Sequence, residues 1–308
     1  MVTEQEFHFP SSDGVHSCYA HVWRPEGTPR AVVQIVHGVA EYIDRYAPFA
    51  SWLAGQGFLV AGEDHLGHGK TVDDHLYGYF GAEHGWDLVT EDVRQLRLLL
   101  SDQYPDLPYV MLGHSMGSFL TRTYLIRWPG TVSAAILSGT GQESPFLLAL
   151  GRLICKLACK FLGPTGHSSL VYNLSLGAYN KQFKPNRTSA DWICRDEAVV
   201  DAYLKDPFCS FQPTVGLFRD MMDGLHSIAD PAQLRHMDPS TPVYLFSGDH
   251  DPVGQNGAGV QRVAGFFRDA GCTDVTVKLY PGGRHEMLNE RNKDEVYQDV
   301  LQWLEAKL

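Results

Sequence analysis

Tyr109-Val110-Met111-Leu112-Gly113-His114-Ser115-Met116-Gly117-Ser118-Phe119-Leu120 decides how the rest of the chain folds. Its first four residues make a short apolar run suited to a buried strand. The segment 117–127 is patterned as a helix, which Pro129 stops. Between them, Gly113-x-Ser115-x-Gly117 fits a tight strand-to-helix turn. The flanking glycines relieve backbone crowding there, and the serine hydroxyl projects above the sheet. The pentapeptide alone is a weak signal; its placement between a strand and a helix gives it weight.

The same strand-then-helix rhythm runs outward from this turn in both directions. Upstream, 31–36 and 58–61 read as buried strands, with a helix at 47–54 that ends at Gly55. Val89, Val93, Leu96 and Leu100 recur at three- and four-residue spacing and predict a helix over 87–100. Downstream come strands at 134–137, 243–246 and 275–279 and helices at 259–267 and 295–304. Near-continuous apolar strands alternating with helices imply an α/β fold, with a mostly parallel sheet covered by helices on both faces. Segments 7–9 and 18–23, joined through Ser-Ser-Asp-Gly, predict an antiparallel hairpin on the sheet edge. The rhythm breaks between Gly139 and Leu225, an interval too long for a loop. The expected organisation is therefore a core of residues 1–138 and 226–308 with a helical cap, 139–225, inserted into it.

Composition narrows the function classes. With 25 Lys and Arg against 36 Asp and Glu, the net charge is −11 and no long basic run interrupts it, which argues against nucleic acid as a partner. Six cysteines without a close-set framework read as free thiols. The N-terminal residues lack a basic segment followed by an apolar one, and no stretch carries eighteen uninterrupted apolar residues. A cytoplasmic globular protein is the expectation.

A serine hydroxyl is a poor nucleophile and needs a base that is itself held by a third group. On sheets with this turn, the acid and the histidine follow the serine, each beyond a late strand. Of the 14 histidines, only His285 lies downstream of Asp251, in the loop after strand 275–279. The loop after strand 243–246 holds two acids, Asp249 and Asp251. Asp251 is favoured, with Asp249 as the alternative. His37-Gly38-Val39 after strand 31–36 matches a loop that donates a backbone N–H to an oxyanion. The expected donors are the amides of Val39 and Met116. This chemistry requires no cofactor and no metal.

Four motifs in order carry a family resemblance: His37-Gly38-x-x-Glu41-Tyr42-x-x-Arg45-Tyr46, Asp64-His65-Leu66-Gly67-His68-Gly69, the Gly113–Gly117 turn, and Gly248-x-x-Asp251 with Gly283-Arg284-His285. Together they resemble the monoacylglycerol lipase and lysophospholipase branch of the α/β-hydrolases, although Tyr42 stands where a histidine is common. The resemblance implies that branch's fold, with Asp251 as the acid. It also implies hydrolysis of carboxylic esters through an acyl-enzyme, with monoacylglycerols or lysophospholipids as substrates. Short-chain esterases, thioesterases, prolyl-type aminopeptidases and cofactor-free haloperoxidases share the scaffold, as would a ligand sensor that kept its triad.

Other signals lead away from chemistry. Gly69-Lys70-Thr71 is no phosphate loop, because Asp64 occupies the position of its first glycine. His65 and His68 lack accompanying metal-ligand spacing, and Cys155 with Cys159 reads as packing on one helix. In 146–162, Arg152, Lys156 and Lys160 recur every four residues and confine charge to one stripe of an otherwise apolar helix. Two readings follow. The helix packs beneath other cap segments, or its apolar side lines an acyl tunnel and touches a lipid surface.

Overall fold

The computed structural model describes residues 1–72 and 76–308. Eight strands form one sheet: β1 (Thr3–Pro10), β2 (Ser17–Arg24), β3 (Val32–Val36), β4 (Leu59–Glu63), β5 (Tyr109–His114), β6 (Ala134–Ser138), β7 (Val243–Gly248) and β8 (Val275–Tyr280). Their spatial order is β1-β2-β4-β3-β5-β6-β7-β8. β1 and β2 form the expected edge hairpin, β2 also runs antiparallel to β4, and every later pairing is parallel.

The helices are α1 (Ala47–Gly55), α2 (Gly85–Gln103), α3 (Met116–Arg127), α4 (Pro145–Leu162), α5 (Ser169–Leu174), α6 (Leu176–Tyr179), α7 (Glu197–Lys205), α8 (Val215–Ser227), α9 (Pro231–Leu234), α10 (Ala258–Asp269) and α11 (Lys293–Lys307). Two hydrophobic cores sandwich the sheet, and the period of two along each strand distributes residues between them. Val32, Val36, Tyr109, Met111, Ala135, Leu137, Val243 and Leu245 face the core built with α2, α3, α8 and α10. Val33, Ile35, Val110, Leu112, Ala134, Ile136, Tyr244 and Phe246 face the core built with α1 and α11. Because both faces are covered, these strands are apolar without alternation, and that is why they were readable as unbroken runs.

Between β6 and β7 the chain is helical, α4 through α9. α8 runs to Ser227, and its Leu217, Phe218 and Leu225 bury in the main core. Ala190, Ile193, Cys194 and Val200 form a separate small cluster. α4 packs along α8, yet only Leu148 and Cys155 of α4 are buried. Leu153 is 55% exposed, Phe146 75% and Phe161 79%, so the helix is not packed beneath other segments. The C-terminal ends of the parallel strands all point to the side where Ser115, the loops after β7 and β8, and the helical segment meet, as ligand sites in parallel α/β sheets do.

Candidate active site

β5 ends at His114 and α3 begins at Met116, leaving Ser115 as the whole turn. Its backbone sits at φ 53°, ψ −121°, a conformation that costs a non-glycine residue on the order of 1–3 kcal/mol. The surroundings enforce it. The Ser115 N–H donates to Ser138 O at 2.9 Å, and Ser118 donates to Ser115 O from both its backbone N–H and its hydroxyl. A Cβ at Gly117 would lie 1.9 Å from Val36 O, so α3 can approach β3 this closely only with glycine there.

His285 and Asp251 meet as expected. The buried His285 donates from Nδ1 to Asp251 Oδ2 at 2.9 Å. A carboxylate only accepts, so the proton lies on Nδ1 and Nε2 is left with a free lone pair. Asp251 is fully buried, and its remaining capacity is filled by Ser247 Oγ at 2.8 Å and the Val253 N–H at 2.9 Å. Asp249 does something else. Its Oδ1 accepts from the Gly282 N–H at 2.7 Å, tying the loop after β7 to the loop after β8. Burial pushes the His285 imidazole down, but the Asp251 charge and hydrogen bond, with Glu286 and Glu41 nearby, carry it above its ordinary value. Gly139, at φ 58°, lets the chain pass the ring: a Cβ there would sit 2.9 Å from His285 Cε1.

Ser115 lies where two small cavities meet. One is lined mainly by apolar groups, among them Val39, Met116, Phe119, Leu176, Met221 and Leu225, and encloses about 60 Å³. The other, about 30 Å³, has a mixed lining: Val39, Leu176, Trp192 and Ile193 beside Glu41, Ser115, His114, Tyr203, His285 and Glu286. Val39 and Met116, the two expected amide donors, both border the first cavity beside Ser115.

Sequence reasoning missed the ionic cluster behind the second cavity. Glu41 accepts from the Gly38 N–H (2.6 Å) and the Tyr46 hydroxyl (2.8 Å) through Oε1, and from Arg45 through Oε2 (2.7 Å). Arg45 also grips Glu286 with two bonds, at 2.9 and 2.8 Å, and Asn289 donates to the same carboxylate. Burial pushes Glu286 up, but the two-pronged contact overrides it and leaves the carboxyl below its ordinary range. Glu41, held by one prong, stays above. This cluster joins the loop carrying Val39 to the residue following His285. The spacing of Glu41 and Arg45, four apart, was visible in the chain, and nothing local announced Glu286 as their partner. The Trp192 ring lies tilted against His285, 5.0 Å between centroids, and comes from the segment after β6, with no sequence signal at all.

The histidines weighed as metal ligands are loop struts. His37 stacks on His65 at 3.9 Å and accepts the His65 N–H at 3.0 Å, and burial holds His68 down to about 3. Among the described residues, Glu6, His21 and Asp44 lie close enough to hold a metal ion, but Lys70 Nζ stands 2.9 Å from Asp44 and supplies that charge.

Comparison with known proteins identifies the family. Residues 27–292 match the family model described as "Serine aminopeptidase, S33". The chain is 32% identical to the monoacylglycerol lipase of Mycolicibacterium smegmatis, over 99% of both chains. It is 26% identical to the mouse monoglyceride lipase, over 98% of this chain and 90% of that one. Among solved structures, a thermostable carboxyl esterase from Bacillus coagulans in complex with glycerol superposes with a TM-score of 0.91 at 33% identity, covering 99% of both chains. With the fold, the turn at Ser115 and the family model in agreement over most of its length, the chain belongs to the serine aminopeptidase S33 family of α/β-hydrolases.

Proposed function

We propose that this serine ester hydrolase cleaves monoacylglycerols or closely related single-chain lipid esters, with Ser115, His285 and Asp251 as its triad. The observation that carries the reading is the junction at Ser115. An apolar cavity suited to an acyl chain lies on one side of it, and a cavity of mixed lining, with Glu41, Tyr203, His285 and Glu286 to meet a hydroxylated alcohol, lies on the other. The carboxyl esterase that this chain resembles along its whole length holds glycerol.

His285 Nε2 takes the Ser115 proton as Oγ attacks the ester carbonyl, and Asp251 stabilises the imidazolium that forms. The Val39 and Met116 amides receive the oxyanion, each worth roughly 3 kcal/mol in the transition state. His285 then protonates the leaving alcohol, and water repeats the sequence on the acyl-enzyme. Amine-bearing peptides fit less well. Glu41 and Glu286, the acids of the second cavity, are both committed to Arg45, which leaves neither free to bind an α-ammonium group.

The helices inserted at 139–225 act as the cap, and the exposed face of α4, with Phe146, Leu153, Leu157 and Phe161, meets lipid. A short-chain esterase is the second reading, favoured by a cavity of only about 60 Å³. Covalent labelling of Ser115 by a fluorophosphonate, followed by turnover of a monoacylglycerol, a lysophospholipid and a graded series of soluble esters, tests the reading. Absence of labelling would refute the triad. Turnover confined to acetate and butyrate esters would favour the second reading.

A further inference from the structure

Arg122 is fully buried on the second turn of α3, the helix that begins at the serine turn. Among the described residues, no carboxylate lies within ion-pair distance of it. Its guanidinium donates instead to three carbonyl oxygens: Gly141 O through Nη1 at 3.1 Å, and Gln142 Oε1 at 2.8 Å and Ile228 O at 3.2 Å through Nη2. Gln142, itself buried, passes the connection on by donating Nε2 to Leu225 O at 3.1 Å. Leu225 and Ile228 belong to the end of α8, where carbonyls lack partners within the helix and the helix dipole is negative. That end and the amide oxygens solvate the charge in place of an acid. Burial lowers the guanidinium only to about 9, so the cation persists at neutral pH.

The groups held this way are cavity walls. Gly141, Gln142 and Leu225 line the apolar cavity, together with Phe119, which lies three residues before Arg122 on the same helix. The connecting loop leaves the triad at Gly139, against His285, and passes under Val253 at Gly141. It reaches the Arg122 clasp at Gln142. We propose that Arg122 is a positioning residue that fixes one wall of the acyl cavity beside Ser115, and through it the enzyme's preference for acyl length. A longer acyl chain depends on that wall more than an acetyl group does. The proposal rests on the ester-hydrolase reading above and adds the residue that sets its selectivity. A lysine cannot replace the arginine, because a single ammonium point charge does not present the planar fork that spans three acceptors on two segments.

The test compares wild type with Arg122→Ala, Arg122→Lys and Gln142→Leu on p-nitrophenyl esters from acetate to decanoate, after circular dichroism has shown each variant folded. In Arg122→Ala, the ratio of kcat/KM for decanoate to that for acetate should fall about tenfold, carried by KM. Guanidinium ion added well below unfolding concentrations should restore the ratio. Arg122→Lys and Gln142→Leu should shift it in the same direction. An unchanged ratio in the folded variants, or the failure of all three to fold, overturns the proposal while leaving the esterase reading intact. A wild type inert toward the whole series overturns both.

Discussion

Two aspartates in one loop have separate tasks, and the contrast between them is measurable. Asp251, sealed from solvent and bonded to His285, should lose on the order of 10⁴ in kcat when changed to Asn, because the amide disturbs the tautomer of the imidazole. Asp249→Asn loosens one loop contact at Gly282 and should cost far less. Steady-state kinetics on one soluble ester checks both, and reversed effects would move the acid to Asp249. His285 adds a pH signature. Since its folded value lies above 6.5 and only the neutral ring accepts a proton, kcat/KM should climb with pH through a window above 6.5. Stability responds with the opposite sign. A raised value means the folded protein holds that proton more tightly, so this contribution is complete below 6.5 and is lost as pH rises through the folded value. A rate profile with its midpoint below 6.5 would contradict the assignment.

Elements were more legible than the contacts between them. The strands and the helices flanking them follow from runs and periodicities within a dozen residues, and Ser115 and His285 stood at their ends. Glu286 could not be read that way, because its partner Arg45 lies on a different segment, 241 residues away in the chain. The hold that Trp192 and Arg122 have on the site is equally a product of tertiary packing. The ionic cluster also makes a prediction at this scale. Arg45→Met would strand two buried carboxylates, and such removals cost about 3–5 kcal/mol. Urea unfolding should show that loss. Activity should fall with it, because the loop bearing Val39 and the residue after His285 lose their shared tie. A change within 1 kcal/mol, an order-of-magnitude bound for surface pairs, would show that the cluster is solvated in solution.

At the scale of the whole molecule, the apolar exterior of α4 is what the sheet and triad leave unexplained. Its sequence allowed either packing or lipid contact, and the structure leaves Leu153 55% exposed. Leu153→Glu should therefore leave the unfolding temperature nearly unchanged, as exposed substitutions do, while impairing hydrolysis of long-chain monoacylglycerol dispersions and sparing a soluble butyrate ester. Equal rates on both substrates would reduce this face to bare surface. No helix among the described residues is long and apolar enough to cross a membrane.

His285 follows β8, which among the described residues pairs with β7 alone and stays half exposed at the end of the sheet, whereas Ser115 follows β5 in its interior. Edge strands open locally at free energies below that of global unfolding. Warming this protein should therefore draw His285 and Ser115 apart while the central strands remain paired. Hydrolysis would cease at a temperature where circular dichroism still records a folded chain.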